Sequence, residues 1–214
     1  MTVQYDPCTA LLVVDVQNDF ASPQGALHVP GGEEVVAVVN REIGHAVAAG
    51  ALVVYTQDWH PPSTPHFVTE GGRWPVHCVA GSWGAQFVPA LEMAGLVVRK
   101  GTSGEDGYSG FSARHPETGI ERPTELAALL RERGIERVVI AGLATDYCVK
   151  ETALDALKAG FATTVLTEGV RAVDIDAGDG DRALDEMARS GALLSASSRK
   201  PRRARHDTEL INTQ

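Results

Sequence analysis

Short apolar runs alternate along the chain with longer stretches in which apolar residues recur at helical spacing. Apolar runs rich in β-branched residues predict buried strands, and amphipathic stretches that end at glycine predict helices. The predicted strands cover 10–16, 52–56, 95–99, 137–141 and 162–166, with a short apolar segment at 192–194. The predicted helices cover 33–49, 124–133, 146–159 and 177–190.

Continuous apolar strands separated by helices are typical of a parallel sheet that is covered on both faces. We therefore expect an α/β fold: a three-layer α/β/α sandwich with a central, mostly parallel sheet. Residues 1–198 are expected to form a single domain, and residues 199–214 a basic, solvated C-terminal tail. Sheets of this kind bind ligands outside the carboxyl ends of their strands. The loop at 61–84, rich in Pro, Gly, His and Trp, is long enough to be functional.

Composition narrows the class of protein. The formal net charge of −9 makes the body of the chain a poor partner for nucleic acid. No apolar run approaches the ~18 residues that would span a bilayer, so no membrane partner is expected. The three cysteines, Cys8, Cys78 and Cys148, are too few and too scattered for a disulfide framework. We expect a cytoplasmic protein, with assembly into a homo-oligomer left open.

Cys148 has the most favourable position for chemistry. It follows the strand at 137–141 and a Gly-Leu-Ala-Thr turn, where Asp146 is placed to cap a helix that carries the thiol in its first turn. The helix dipole would then lower the pKa of the thiol, and free backbone N–H groups would suit an oxyanion. The alternative is that Cys148 is a small buried apolar residue.

Charged residues also stand at the ends of two other predicted strands. Asp15 could accept the thiol proton as a general base, whereas a turn or capping role is favoured for Asp19. Lys100 could stabilise the thiolate or keep Asp15 ionised by charge pairing. A lone lysine at a strand end is, however, more often a surface residue.

A cluster of metal-binding residue types follows the second strand. Asp58, His60, His66 and His77 lie within 20 residues and offer donors that suit zinc, iron or manganese. The set is compatible with a closed structural zinc or with an ion that leaves room for substrate. The other histidines have no such neighbours and are expected to have no role; they are His28, His45, His115 and His206.

Taken together, these stretches resemble the nicotinamidases (pyrazinamidases) of the isochorismatase-like cysteine hydrolase family. The resemblance extends to about residue 195 and is carried by VVDVQNDF, QDWHPPSTPHF, WPVHC, KG followed by GYSGF, and GLATDYCVKETALDA. Asp, Lys and Cys in this order mark the cysteine hydrolases, and the Asp-x-His, His, His set marks the nicotinamidase branch.

The resemblance implies hydrolysis of nicotinamide to nicotinate and ammonia through a thioester, a step of NAD salvage. It implies a catalytic triad of Asp15, Lys100 and Cys148, and an oxyanion hole formed by the N–H groups of Ala144 and Cys148, with a cis peptide between Leu143 and Ala144. One divalent ion, zinc before iron or manganese, would be held by Asp58, His60, His66 and His77. The ring pocket would be walled by Phe20, Trp74 and Tyr108.

Two segments depart from the family pattern, and three other functions stay open. The segment 101–107 is longer and more acidic than expected, which could change access or substrate choice, and the basic tail has no counterpart. The alternatives are an amidase for carbamoyl, ureido or pyrazinamide-like substrates, a non-catalytic zinc protein, and a redox protein with Cys148 as a sensor thiol.

Overall fold

A computed structural model describes residues 3–195 of the chain. The strands are β1 (Thr9–Val14), β2 (Leu52–Asp58), β3 (Leu96–Lys100), β4 (Ser112–Arg114), β5 (Glu121–Pro123), β6 (Arg137–Leu143), β7 (Ala162–Arg171) and β8 (Leu193–Ser195). The α-helices are α1 (Asn18–Ala21), α2 (Val35–Ala48), α3 (Leu126–Glu132), α4 (Lys150–Lys158) and α5 (Asp179–Arg189). None of the helices in this part of the chain has the length and apolar character needed to cross a membrane. The predicted basic tail and His206 lie outside the described residues.

The main sheet has six strands in the order β3-β2-β1-β6-β7-β8, and every neighbouring pair is parallel. The predicted parallel sheet is therefore confirmed. The order of the strands reverses between β1 and β6, so the loops after these two strands leave a crevice between them. In open α/β sheets this crevice at the carboxyl ends is the usual place for a ligand.

Successive residues of β1 show how the sheet is covered. Leu12 and Val14 face one apolar core, which also contains buried residues of α3, α4 and α5. Leu11 and Val13 face the other core, which contains buried residues of α2. Because alternate side chains of one strand enter two cores, both faces of the sheet are packed and the three-layer sandwich is confirmed.

Several predicted boundaries are wrong in ways that matter for the site. β1 ends at Val14, two residues earlier than predicted, because Asp15 adopts a positive φ of 48° that leaves the extended conformation. β7 continues to Arg171, beyond the predicted end at 166. The predicted helix 146–159 is divided into a π-helical turn, Thr145–Val149, and α4. The antiparallel pair β4–β5 was not predicted.

Candidate active site

The polar residues predicted from strand ends do meet at one edge of the sheet. Asp15 follows β1, Asp58 ends β2, Lys100 ends β3, and Cys148 lies in the turn after β6. All four side chains are buried. Parallel strands bring their carboxyl ends to the same edge, which explains why residues so far apart in sequence come together.

Lys100 is the charged centre of this group. Its Nζ lies 2.7 Å from Oδ2 of Asp15 and 3.7 Å from Sγ of Cys148. It also donates hydrogen bonds to Oδ1 of Asp58 and to the carbonyl oxygen of Gly107. Burial alone would lower the pKa of Lys100, but the two carboxylates raise it well above its ordinary value. The surface alternative for Lys100 is therefore wrong.

Asp15 is prepared to exchange a proton. Burial, opposed by the charge of Lys100 and reinforced by Asp58, raises the pKa of Asp15 to about 6. The hydroxyl of Thr56 donates to Oδ1 of Asp15 at 2.7 Å. One carboxylate oxygen of Asp15 and Sγ of Cys148 lie within 4.8 Å of each other. A carboxyl group with a pKa near neutrality, this close to a thiol, is suited to general acid–base work.

Cys148 does not have the lowered pKa that its position at a helix start predicted. Burial raises the pKa of the thiol well above its ordinary value, and the charge of Lys100 only partly offsets the effects of burial, Asp15 and Asp58. The sequence-based expectation neglected burial, which penalises the thiolate more than the start of a helix favours it. The resting thiol is therefore protonated, and a base has to remove its proton.

Asp146 is not the helix cap that the sequence predicted. Its carboxylate accepts hydrogen bonds from the N–H groups of Val173 and Asp174 at 3.0 and 2.9 Å, in the segment that follows β7. The N-cap position of the π-helical turn is Ala144. Asp146 thus ties the turn that carries Cys148 to a segment 27 residues further along the chain.

The three predicted histidine ligands also converge. One ring nitrogen each from His60, His66 and His77 lie within 4.8 Å of one another, and all three side chains are buried. Asp58 Oδ2 lies 3.5 Å from Nε2 of His60 and 3.9 Å from Nε2 of His77. The fourth predicted donor is therefore beside two of the three histidines, and it also contacts Lys100.

The chemistry of this cluster fits a metal ion. Both ring nitrogens of His60 are fully buried and have no hydrogen-bond partner among residues 3–195, a costly arrangement unless something else binds them. Burial, with the charge of His60, lowers the pKa of His66 to about 3, and burial also lowers the pKa of His77. Neutral imidazoles are the form that ligates metals.

Neighbouring groups hold the donors in place. The side chain of Gln17 donates to the carbonyl oxygen of Asp58 and accepts from its N–H, both at 2.8 Å. Nδ1 of His77 lies 2.8 Å from the carbonyl oxygen of Pro75, which leaves Nε2 for the cluster. Asp19 has the structural role expected, since it accepts from the N–H groups of Ala26 and Cys78. Gln17 was missed, although it lies in the same VVDVQNDF motif.

The segment 101–107 packs against the histidine cluster. A Cβ atom on Gly101 would lie 2.5 Å from Cε1 of His60, and one on Gly107 would lie 3.1 Å from Oδ1 of Asp58. Thr64 donates to the carbonyl oxygen of Gly104 at 2.9 Å. The segment therefore supports the metal-binding residues, and none of it lines the narrow pocket beside Cys148.

A narrow cavity of about 30 Å³ opens beside Cys148 and the histidines. The three predicted ring-pocket residues line it, together with residues that sequence reasoning missed: Leu27, Val29, Tyr147 and Val173. The indole N–H of Trp74 donates to the hydroxyl of Tyr108 at 2.7 Å. Tyr147 could have been suspected because it directly precedes Cys148.

The peptide bond between Leu143 and Ala144 is cis, as expected. It lies at the junction between β6 and the π-helical turn, and Ala144 and Cys148 both line the narrow pocket. Ala144, one of the two residues expected to form an oxyanion hole, therefore lines the same pocket as the thiol of Cys148, the other.

Comparison with known proteins agrees with this geometry. The profile of the Isochorismatase domain matches residues 9–198. The chain belongs to the isochorismatase family. Among the relatives of this family member is a nicotinamidase of Escherichia coli K12, which is 40% identical over 206 residues, covering 88% of this chain and 94% of that protein.

Solved structures of the same family are also similar. The pyrazinamidase of Pyrococcus horikoshii in complex with zinc has a TM-score of 0.79 and 42% identity, and the match covers 89% of this chain and all (100%) of that one. PnC1 from L. infantum in complex with nicotinate has a TM-score of 0.81 and 38% identity, covering 92% and 98% of the two chains. The isochorismatase-like fold implied by the sequence motifs is thereby confirmed.

Proposed function

We propose that this protein is a cysteine amidohydrolase that converts nicotinamide to nicotinate and ammonia, a reaction of NAD salvage. One observation carries the proposal: Cys148, which Lys100 and Asp15 adjoin, lines the same narrow pocket as His66 and His77 of the histidine cluster. The first group suits attack on an amide carbon. The second suits recognition of a ring nitrogen, so together they select a pyridine carboxamide.

The aromatic walls of the pocket and the histidine cluster together position the nicotinamide ring. Phe20, Trp74 and Tyr108 line the pocket and present flat apolar surfaces to an aromatic ring. A divalent ion held by Asp58, His60, His66 and His77 would supply a Lewis-acid site that binds the pyridine nitrogen. We expect zinc first, with iron or manganese as alternatives, because the P. horikoshii pyrazinamidase was solved with zinc.

Acylation begins with proton transfer from Cys148 to Asp15. The thiolate sulfur forms a bond to the carboxamide carbon, and the electron pair of the C=O bond moves onto the oxygen. The N–H groups of Ala144 and Cys148 stabilise this oxyanion, while Lys100 offsets the negative charge of the carboxylate and the thiolate. When the C–N bond breaks, Asp15 returns its proton to the nitrogen, and ammonia leaves.

Deacylation uses the same groups in reverse. Asp15, again ionised, accepts a proton from a water molecule whose oxygen attacks the thioester carbon. The C–S bond breaks, and the thiolate of Cys148 is protonated by Asp15. Nicotinic acid leaves and gives its remaining proton to solvent to become nicotinate, and the protonated resting thiol is restored, in agreement with its raised pKa.

Ammonia release from nicotinamide by the purified protein is the direct test. We expect turnover by the natural chain and none by Cys148→Ala, and mass spectrometry of quenched enzyme should show a nicotinoyl adduct on Cys148. Retained amidase activity in Cys148→Ala would contradict the proposal. Less than a few tenths of an equivalent of metal, with activity on carbamoyl or ureido amides, would favour the metal-free amidase instead.

Two broader expectations belong to the same proposal. We propose that residues 1–198 form a single domain, which the single six-stranded sheet with its two cores supports. We also propose a cytoplasmic location, which the scattered free cysteines support. Limited proteolysis and fractionation of the native host are the corresponding measurements.

A further inference from the structure

Arg73 contacts two walls of the narrow pocket from outside. Its guanidinium carbon lies 5.4 Å from the centre of the Trp74 ring and 5.9 Å from the centre of the Tyr147 ring. These two rings meet edge to face, with centres 4.8 Å apart and planes at 85°. Distances below about 6 Å from a cation to a ring centre are those of favourable cation–π contacts. One exposed guanidinium therefore contacts both rings.

No carboxylate among residues 3–195 forms a direct ion pair with Arg73. In this part of the chain, no Asp or Glu oxygen lies within 4.0 Å of the Arg73 guanidinium. Asp179 is the carboxylate that feels this charge, since Arg73 is one of the groups that lower the pKa of Asp179, but the two form no ion pair at that distance. Trp74 is fixed on its other side by the hydrogen bond from its indole N–H to Tyr108. The three aromatic side chains thus form one connected wall, which Arg73 closes at one end.

A larger, open cavity of about 650 Å³ lies on the Arg73 side of this wall. Trp74, Tyr108 and His66 line both this outer cavity and the narrow pocket, so the wall separates the two spaces. The outer cavity is also lined by Glu70, Asp106, Glu117 and Arg114. Arg114 is paired with Asp106 at 2.8 Å, so the two remaining carboxylates make the cavity a poor site for an anion. Arg73 is therefore better explained by its contacts with the rings than by binding of a carboxylate.

We propose that Arg73 is a positioning residue that sets the width of the ring pocket and so determines specificity for a single flat pyridine ring. The inference rests on the proposed function, which it deepens. Arg73 does not touch the reacting carboxamide, and it acts through Trp74 and Tyr147. Losing it frees Trp74 to move toward the outer cavity, which it lines, and removes a contact that orients Tyr147, so a small ring is held less well and a larger one is admitted more easily.

The test compares Arg73→Ala, Arg73→Lys and the matched control Arg131→Ala. Arg131 lies on α3, and its guanidinium carbon is 5.8 Å from the centre of the Phe161 ring. This is a contact of the same kind, away from the pocket. The substrates are nicotinamide and the bicyclic quinoline-3-carboxamide, and KM and kcat are measured for each enzyme. Circular dichroism checks that every variant is folded.

In Arg73→Ala we expect KM for nicotinamide to rise about fivefold, the loss expected for two weak cation–π contacts. We expect kcat to stay within about twofold, since the groups that react are unchanged. The ratio of kcat/KM for the bicyclic amide to that for nicotinamide should rise, and Arg73→Lys should recover most of the natural values because it keeps the cation.

Values in Arg73→Ala equal to those of Arg131→Ala would overturn the inference. So would a fall in kcat at unchanged KM, because it would assign Arg73 to the chemical step. These outcomes leave the proposed function intact, provided that the natural chain hydrolyses nicotinamide. Failure of the natural chain to release ammonia from nicotinamide would instead overturn the proposed function, and the inference with it.

Discussion

Replacing Asp146 by asparagine tests whether its carboxylate stabilises the π-helical turn that carries Cys148. The carboxylate accepts two backbone hydrogen bonds, from Val173 at 3.0 Å and from Asp174 at 2.9 Å, and it is buried. Asparagine keeps the shape but has one oxygen, so its NH₂ group would face a backbone N–H. One charge-assisted bond is lost and the other becomes neutral.

The expected loss in the free energy of unfolding follows from these contacts. Hydrogen bonds to charged groups contribute roughly 1.5–3 kcal/mol each, and neutral ones about half as much. Losing one and weakening the other should cost about 2–4 kcal/mol. For a chain of this size the melting temperature should fall by roughly 5–15 °C.

Urea denaturation of Asp146→Asn, with Asp185→Asn as the control, provides the measurement. Asp185 is exposed on α5, so its variant should stay within about 0.5 kcal/mol of the natural chain. The midpoint should shift in Asp146→Asn while the slope stays constant. Because Val173 also lines the pocket, kcat/KM should fall as well. Equal stability of the two variants would refute the reasoning.

Three further predictions concern the acid–base group, the metal and the glycine beside it. Burial raises the pKa of Asp15 to about 6, and the protonated form cannot accept the Cys148 proton, so kcat/KM should fall about tenfold for each pH unit below that value. An acid limb near the pKa of an ordinary aspartate, about 4, would contradict this. Dialysis against a chelator should abolish turnover, and adding metal back should restore it. The far-UV circular dichroism should not change, because the two apolar cores on the faces of the sheet hold the fold together without the metal-binding residues. Unfolding would indicate a structural metal. Gly101→Ala should lower the metal content because the added Cβ would lie 2.5 Å from Cε1 of His60. The control is Gly119→Ala, which is also at positive φ but has nothing within 4 Å of the added Cβ. This control should lose only the backbone strain of roughly 1–2 kcal/mol in stability and should keep its metal. Equal metal contents in the two glycine variants would count against this role of Gly101.

Local patterns were sufficient to predict the sheet and the position of its polar residues. The apolar runs of the four inner strands, β1, β2, β6 and β7, send side chains into both cores, and the polar residues that follow the strands are placed at the carboxyl edge. The amino-acid sequence alone therefore locates Asp15, Asp58 and Lys100 at that edge. Their selection as a chemical group depended on the family motifs as well, since a lone lysine at a strand end carries little information.

The turn that carries Cys148 shows where local reasoning fails. Asp146 has the residue type and position of a helix cap, but its carboxylate binds N–H groups 27 and 28 residues away. The pKa of Cys148 was misjudged for a similar reason, because burial by distant segments outweighs the nearby start of a helix. Both errors concern partners that are remote in sequence.

Lys100 lies between Asp15 and Asp58, so the catalytic group and the metal-binding cluster cannot change independently of each other. A single ammonium group serves as counter-ion for both the proton acceptor and a candidate metal ligand, so neither carboxylate has an independent electrostatic environment. Removing the charge of Asp58 would lower the pKa of Asp15, because Asp58 helps to raise it. A related enzyme that replaced Asp58 as a metal ligand would therefore also need a change that restores the pKa of Asp15.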